Sequence, residues 1–311
     1  MFISICIPTY NSGEKLERLL DSVRIQTFND YEIIVSDDSR NDSVKQIIDS
    51  KYTDLNIKYY WNEEPLKNPG NWTNAVEKSS GDWINLMHHD DWFANENSLQ
   101  KFVDATNTNP DKYIIFCAFE NIYIDNNTQR KFYWGWWNQT LLKLNYLNLY
   151  KTFLPNPSCT LVNKKYKPYG YDKNFKWLID FDFYTTLFKK HYSYTYINRV
   201  LVNVGMHSGQ VTAEVFGNPN VEIPETIGLL KKHGEKILKN IFVYDFYWRM
   251  YRNLGVRSIE QFNSYLDQKS SFKSIDSMIY AQSRVNANVL KNGFANKFFM
   301  IINYLKNFVF N

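Results

Sequence analysis

The sequence predicts an α/β fold, in which a mostly parallel β-sheet is flanked by helices and followed by a helical C-terminal extension. Over residues 1–90, short apolar runs alternate with segments of helical periodicity, the pattern of a parallel sheet whose strands are joined by helices. Past residue 215 the apolar spacing is helical. Several early runs end in polar or acidic residues, and ligands of such sheets bind at the carboxyl ends of the strands.

The N-terminal elements are predicted from apolar runs and from leucine, isoleucine and valine at helical spacing. The runs typical of buried strands are Phe2–Ile7, Tyr31–Ser36, Ile57–Trp61 and a run from Trp83 that ends at Asp90. The helices between them contain Leu16, Leu19, Leu20 and Val23, then Val44, Ile47 and Ile48, and then Asn71–Lys78. Farther along, Tyr113–Phe119 and Thr195–Val204 are predicted strands, and Asp180–Lys190 is a predicted helix.

The C-terminal helices are predicted from their capping signals. Pro224 suits a first helical position. Helices are also predicted at Phe242–Leu254, after the capping box of Ser258 and Gln261, and around Ile275–Leu290 with an end near Gly293. We therefore expect a first domain over residues 1–215, with halves 1–112 and 113–215, and a helical region over residues 216–311.

Composition excludes several classes of protein. The net charge is only +4 over 311 residues, with no dense block of Lys and Arg, so no nucleic-acid partner is expected. Three distant cysteines, Cys6, Cys117 and Cys159, predict neither a metal site nor a disulfide framework, and favour the reducing cytoplasm. Met1 leads straight into a strand, so no signal peptide is expected, and no apolar run has the roughly 18–20 residues that cross a bilayer.

The most informative segment is the run Trp83–Met87, which is followed by His88, His89, Asp90 and Asp91. Carboxylates are seldom buried without a partner, so two of them at a strand end favour an open edge with something to bind. A hard divalent cation such as Mg²⁺ or Mn²⁺ is the natural partner. The alternative is an exposed turn with two solvated acids.

A series of motifs resembles, in order and spacing over residues 2–212, the family 2 glycosyltransferases of the GT-A fold. The motifs are Ile5–Asn11, Glu32–Asp42, Gly70–Asp91, Pro155–Ser158, Gly170–Asp172, Ile179–Asp182 and His207–Thr212. The resemblance implies a Rossmann-like GT-A domain and an inverting enzyme that moves a sugar from a nucleotide-diphosphate donor, with UDP as the expected nucleotide. The implied acceptor is a hydroxyl of a glycan or a lipid-linked saccharide, in polysaccharide, lipopolysaccharide O-antigen or capsule assembly.

The resemblance also implies roles for individual residues. Thr9 and Tyr10 would line a slot for the base, and Asp37 would accept a hydrogen bond from a uracil-like imide. The full set expected to bind the nucleotide is Pro8, Thr9, Tyr10, Asn11, Asp37, Asn71 and Asp90. Asp91, with Asp90 and His207, is expected at a Mn²⁺ or Mg²⁺ ion. Asp180 is the expected general base, with Asp182 as the competing candidate.

The sequence departs from the family at one position of the acidic motif. The family often has an acid where this chain has His88, which leaves open how Asp90 and Asp91 divide the ribose and the metal. A site that contains histidine would tolerate Mn²⁺ better than Mg²⁺. The departure also supports the alternative of a degenerate module that binds a nucleotide sugar or a glycan without chemistry. A nucleotidyltransferase is disfavoured, because residues 9–13 do not form a glycine-rich, basic phosphate loop.

Two apolar features leave alternatives open. Trp134, Trp136 and Trp137 can stack on an acceptor sugar, but core packing or an interface is favoured. The last helix has an apolar stripe with lysines nearby, formed by Phe294, Phe298, Ile301, Ile302, Leu305 and Val309. Packing on the main domain or on a partner subunit, hence a homo-oligomer, is the favoured interpretation of this stripe. Peripheral contact with the inner membrane surface is the other.

Overall fold

The computed structural model describes residues 2–152, 155–208 and 215–309. The chain forms two compact units. The first contains residues 1–137, 154–173 and 182–210, and the second contains residues 138–153, 174–181 and 211–311. The second unit therefore includes two segments from within the range predicted for the first domain.

The first unit is built on a nine-stranded sheet. Its strands are β1 Ile3–Thr9, β2 Tyr31–Asp37, β3 Ile57–Trp61, β4 Trp83–Leu86, β5 Trp92–Phe93, β6 Ile114–Tyr123, β7 Thr128–Phe132, β8 Thr160–Asn163 and β9 Tyr194–Met206. The order is β3-β2-β1-β4-β8-β6-β9-β5, with β7 paired to β6. The first four strands are mutually parallel, as predicted, whereas β8 pairs antiparallel with both β4 and β6.

Helices of the first unit follow the predicted strand–helix alternation. They are α1 Gly13–Arg24, α2 Ser43–Lys51, α3 Lys67–Glu77 and α4 Ser98–Thr108. Strand β1 is buried along its whole length, as expected for a parallel strand that is covered on both faces. One face of α1 buries Leu16, Leu19, Leu20 and Val23 in the same hydrophobic core as β1 and β2. This packing fixes where the carboxyl ends of the central strands lie.

Two helices contain residues of both units. Helix α5 spans Trp136–Leu144 and belongs to the second unit from Asn138 onward. Helix α6 spans Ile179–Lys190 and belongs to the first unit from Asp182 onward.

The second unit is otherwise helical, as predicted. Its remaining helices are α7 Pro219–His233, α8 Ile241–Asn253, α9 Ile259–Asn263, α10 Lys273–Ser283, α11 Ala287–Lys291 and α12 Gly293–Phe308. An aromatic cluster of Tyr247, Tyr251 and Phe262 is fully buried in its core. Among the helices of residues 2–152, 155–208 and 215–309, none combines the length and apolar character needed to cross a membrane.

Two predicted helix boundaries are wrong. Helix α7 begins at Pro219, with Asn218 as its cap, so Pro224 lies inside the helix rather than at its start. The single helix predicted around Ile275–Leu290 is divided into α10 and α11, and Gly293 begins α12 instead of following a helix end. The physical reason is capping, because the side chain of Asn292 accepts hydrogen bonds from the first backbone N–H groups of α12.

Candidate functional site

The site lies at one edge of the sheet of the first unit. Strand β1 lies between β2 and β4 and is parallel to both. Parallel strands present their carboxyl ends at the same edge, so the turns after β1, β2 and β4 are neighbours. These turns contain Tyr10–Asn11, Asp38–Ser39 and His88–Asp91. The structure thus brings together the strand-end features that the sequence singled out.

The side chain of Asp37 links β1 to β2 and β3. Its Oδ1 accepts hydrogen bonds from Thr9 Oγ1 at 2.9 Å and from the Ser39 backbone N–H and hydroxyl at 3.0 and 2.6 Å. Its Oδ2 accepts one from the Tyr59 hydroxyl at 2.8 Å. Thr9 and Asp37, two of the residues expected at the base, are both buried.

Tyr10 and Asn11, two further residues expected to bind the nucleotide, lie in the turn after β1. The Tyr10 side chain is exposed, so its ring is accessible to a planar base. Asn11 has a φ of 47°, in the left-handed region that asparagine tolerates better than most residues. Its backbone N–H donates to Ser39 Oγ at 2.9 Å. The residue type at position 11 is therefore suited to this turn.

Asp38 and Asn71 hold the surrounding backbone. The Asp38 carboxylate accepts hydrogen bonds from the backbone N–H groups of Leu66 and Lys67, at 3.0 and 2.8 Å, where α3 begins. Buried Asn71 donates from Nδ2 to the Thr9 carbonyl oxygen at 3.2 Å and accepts from Asn62 at 3.1 Å. Asn71 therefore holds the carboxyl end of β1 through the Thr9 carbonyl group.

Three side chains form a candidate metal cluster after β4. Ligand atoms of His88, Asp90 and Asp91 all lie within 4.8 Å of one another. His88, the position at which the sequence departs from the family, therefore lies beside the two acids. A cluster with one imidazole and two carboxylates is a donor set for Mn²⁺ or a similar divalent ion.

Asp91 is the most enclosed member of the cluster. Its Oδ1 accepts from the Gly205 backbone N–H at 3.0 Å, and its Oδ2 accepts from Asn156 Nδ2 at 3.1 Å. Burial raises the pKa of Asp91 well above its usual range, and the neighbouring Asp90 carboxylate raises it further. A cation would relieve both effects, because it favours the charged form of each acid.

Both the ring and the backbone of His88 have partners in the fold. Its ring packs against Trp72 at a centroid distance of 4.6 Å, and its backbone N–H donates to Ser158 Oγ at 3.0 Å. Burial lowers the pKa of His88 to about 4, so the ring is neutral at pH 7, the form that binds metals. Its Nε2 is buried and has no hydrogen-bond partner within residues 2–152, 155–208 and 215–309.

His207, after β9, reaches the same cluster through Asp90. Its Nε2 lies 3.1 Å from Asp90 Oδ2 and 3.0 Å from Lys15 Nζ on α1. Arg18, one turn further along α1, donates to the Asp90 carbonyl oxygen at 3.2 Å and stacks over Trp92. The remainder of the predicted closing motif, residues 209–212, lies outside the described residues.

Several residues of this site were missed or given another role by the sequence. Lys15 and Arg18 carry no motif, and the only available signal is two cations three residues apart on the helix after β1. Asn156 and Ser158 were grouped with the acceptor half, but they contact Asp91 and His88. The backbone of β9 also contributes, since a Cβ on Gly205 would lie 2.3 Å from the Asp90 carbonyl oxygen. Glycine is therefore needed at position 205.

Asp180 and Asp182 lie in the same helix, α6, but in different units. Asp180 is in the second unit. Burial raises its pKa to about 7, and its Oδ1 has no hydrogen-bond partner in the described parts of the chain. Asp182 is buried in the first unit and has interactions of its own.

The three tryptophans do not form one cluster. Trp134 is buried, stacks on Tyr196 at 5.0 Å and packs against Phe116. Trp136 and Trp137 are exposed and contact each other edge to face. Core packing accounts for Trp134, and only the other two rings are accessible to a ligand.

Comparisons with known proteins place the chain among bacterial glycosyltransferases. It is 35% identical over 91 residues to the GalNAc(5)-diNAcBac-PP-undecaprenol beta-1,3-glucosyltransferase of Campylobacter jejuni, a match covering 29% of each protein. It is 37% identical over 111 residues to abequosyltransferase RfbV of Salmonella typhimurium, covering 34% of this chain and 33% of that protein. The chain thus spans about a third of the length of these curated relatives.

Solved structures confirm the predicted GT-A fold. TarS 1–349 of S. aureus, in complex with UDP-GlcNAc, superposes with a TM-score of 0.67 at 16% identity, over 98% of this chain and 89% of that one. The mannosyltransferase PcManGT of Pyrobaculum calidifontis, with GDP-Man and Mn²⁺, superposes with a TM-score of 0.58 at 12% identity, over 99% and 87%. The family model for glycosyl transferase family 2 matches residues 4–168, more than half of the chain. The protein therefore belongs to glycosyl transferase family 2.

Proposed function

We propose that the protein is an inverting glycosyltransferase that moves a sugar from a nucleotide-diphosphate donor, UDP-linked in our assignment, to a hydroxyl of a glycan or lipid-linked saccharide. The observation that carries the proposal is the meeting of two features at one sheet edge. One is the hydrogen-bonded pair of Thr9 and Asp37 beside the exposed Tyr10, and the other is the cluster of His88, Asp90 and Asp91. Family membership supports the reaction class.

The donor would lie along this edge, with its base in the slot and its diphosphate at the cluster. Tyr10 would cover the base and Asp37 would accept from its imide, while Pro8, Asn11 and Asn71 shape the slot. Asp90 would bind the ribose. Lys15, whose Nζ lies 3.0 Å from His207 Nε2, would place an ammonium group beside the diphosphate. Two cations on α1 suit a doubly charged leaving group.

Asp91, Asp90 and His88 would hold a divalent ion, with His207 beside them. The raised pKa of Asp91 fits this role, because a cation relieves it, and His88 Nδ1 lies 3.9 Å from Asp91 Oδ2. When bound, the ion would neutralise charge on the leaving nucleoside diphosphate as a Lewis acid. The imidazole favours Mn²⁺ over Mg²⁺.

Asp180 is the proposed general base. As the acceptor oxygen attacks the anomeric carbon, its proton passes to Asp180, and the bond from that carbon to the diphosphate oxygen breaks. The nucleoside diphosphate leaves with the bonding electron pair, and the anomeric configuration inverts. A pKa of about 7 suits this task, since a base works best when its pKa is near the working pH.

The acceptor class is proposed from the relatives. The Campylobacter protein is named for an undecaprenol-linked saccharide, and TarS for poly(ribitol-phosphate). We propose an acceptor of the same kind, a lipid-linked or polymeric surface glycan built in the cytoplasm.

Release of nucleoside diphosphate from donors tests the proposal. Purified protein is incubated with a panel of nucleotide sugars and Mn²⁺, and the nucleoside diphosphate freed by slow transfer to water is measured. We expect release above the enzyme-free rate from at least one donor, and its loss on chelation of the metal. Binding of a donor without any release would favour the degenerate binding module, which the His88 departure supports.

A further inference from the structure

The last helix, α12, buries its polar side. Asn296 Oδ1 accepts from Trp248 Nε1 at 2.8 Å, and Asn303 and Asn307 donate to the Ser277 hydroxyl at 3.0 and 3.1 Å. Asn307 also donates to the buried Tyr244 hydroxyl at 2.9 Å. The side of α12 that faces the rest of the second unit therefore contains asparagines with hydrogen-bond partners, together with the buried Met300.

The opposite side of α12 is apolar and faces outward. Phe294 is 92% exposed and Phe298 is 60% exposed, while Ile301 and Val309 are also exposed. On a helical wheel with 3.6 residues per turn, the residues of the apolar stripe fall within an arc of about 100°, with Ile301 at one end and Ile302 at the other. This arc is roughly opposite the asparagines. This pattern reverses the usual amphipathic helix, in which the apolar face is buried. Packing on the main domain, one part of the favoured prediction, therefore does not hold for Phe294, Phe298, Ile301 and Val309.

Basic side chains border this apolar face. Lys297 and Lys306 lie on its two sides, each about 40° beyond the apolar arc. Lys297 pairs with Asp245 on α8, whereas Lys306 and Lys291 are exposed. Residues 277–311 contain no Asp or Glu and four basic residues, Arg284, Lys291, Lys297 and Lys306, a charge equal to the +4 of the whole chain. The region is therefore positively charged as well as apolar.

We propose that the outward face of α12 docks on the surface of an anionic lipid bilayer. Phenylalanine and isoleucine side chains enter the boundary between headgroups and acyl chains, while lysines along the edges contact anionic headgroups. The helix then lies in the plane of the surface, since it is neither long nor apolar enough to span the bilayer. The proposal does not depend on the donor or on the chemistry at the sheet edge.

The charge pattern favours a lipid surface over a second copy of the chain. A symmetric dimer through this face would bring the same patch together with itself. Lysines would then face lysines, with no acid from residues 277–311 to separate them. An anionic surface provides the opposite charge for the exposed Lys291 and Lys306, and contacts the apolar arc at the same time.

Vesicle flotation at low ionic strength tests the proposal. We expect the full chain to bind equimolar phosphatidylglycerol–phosphatidylcholine vesicles, and to bind pure phosphatidylcholine vesicles roughly tenfold or more weakly. The double variant Phe294→Gln, Phe298→Gln should lower binding to anionic vesicles by roughly tenfold, since both side chains are exposed and the fold does not need them. The double variant Lys291→Glu, Lys306→Glu should lower it by at least roughly 25-fold, because loss of each positive charge alone costs about fivefold and the new carboxylates are repelled.

Two matched control variants distinguish binding through this surface from non-specific hydrophobic adsorption and from the effect of overall charge. Ile25→Gln with Leu144→Gln removes two other exposed apolar side chains, and Lys189→Glu with Lys190→Glu makes the same charge change on α6. Neither should alter vesicle binding by more than about twofold. Equal losses in the controls, or absence of binding to anionic vesicles, would overturn the proposal. So would a dimer in sedimentation that Phe294→Gln, Phe298→Gln dissociates, because the face would then join two copies.

Discussion

Replacing Asp180 by asparagine is expected to lower kcat by about 10²–10⁴-fold, the usual contribution of general acid–base catalysis. Asparagine keeps the size of the side chain but cannot accept the proton of the acceptor hydroxyl. Binding of the donor should be unchanged, because the proposed base slot and metal cluster contain no part of Asp180. The measurement is transfer rate and donor affinity for the wild type and the variant, with Asp182→Asn as the matched control on the same helix.

The pH profile distinguishes a catalytic Asp180 from a structural one. Burial raises the pKa of Asp180 to about 7, so the carboxylate that accepts the proton is lost as the pH falls through 7. The wild-type rate should therefore decrease below about pH 7, whereas the residual rate of Asp180→Asn should lack this dependence. If Asp182→Asn is the inactive variant and Asp180→Asn retains the wild-type rate, the base is Asp182.

Replacing Asp91 by asparagine is expected to lower the metal-dependent release of nucleoside diphosphate by roughly 10³-fold or more. Asp91 is the buried carboxylate of the cluster, and an amide removes its charge while keeping its shape. The amide oxygen can still accept from the Gly205 N–H, so the loop after β4 retains this contact. Titration with the metal, monitored by thermal unfolding and by release of nucleoside diphosphate, would measure metal binding and turnover in the variant.

Asp82→Asn provides a matched control for this change. Asp82 lies just before the opposite end of β4 and forms an exposed ion pair with Lys164. Exposed ion pairs contribute at most about 1 kcal/mol, so this variant should keep both its activity and its response to Mn²⁺. A full metal response in Asp91→Asn would show that the ion binds elsewhere.

The sequence was sufficient for the first, parallel strands of the sheet because these depend on local signals. Strands β1, β2 and β4 are mostly apolar runs, and the polar segments Tyr10–Asn11, Asp38–Ser39 and His88–Asp91 mark the turns after them. Parallel order then brings those turns together without further information. The pairing of β8 with β4 and β6 is antiparallel and joins distant segments, which periodicity along the chain does not reveal.

The features that the sequence did not predict depend on contacts between residues that are far apart in the chain. Lys15 and His207 are 192 residues apart, and only the folded chain places Nζ and Nε2 within 3.0 Å. Helix α12 is the clearest case, since its stripe of phenylalanine and isoleucine is typical of a buried face. Its asparagines are buried instead because Trp248, Tyr244 and Ser277 supply hydrogen-bond partners to them.

Thermal unfolding with nucleoside diphosphates tests most directly whether the sheet edge binds a donor and a metal together. The protein is titrated with UDP, GDP, CDP and dTDP, each with and without Mn²⁺. A ligand at 100 times its Kd stabilises the native state by about 2.7 kcal/mol, so the correct nucleotide with Mn²⁺ should raise the unfolding midpoint by several degrees. The account predicts a clear shift for UDP with Mn²⁺, larger than for either alone. If no nucleoside diphosphate shifts the midpoint with or without Mn²⁺, the assignment of this edge as a donor site is contradicted.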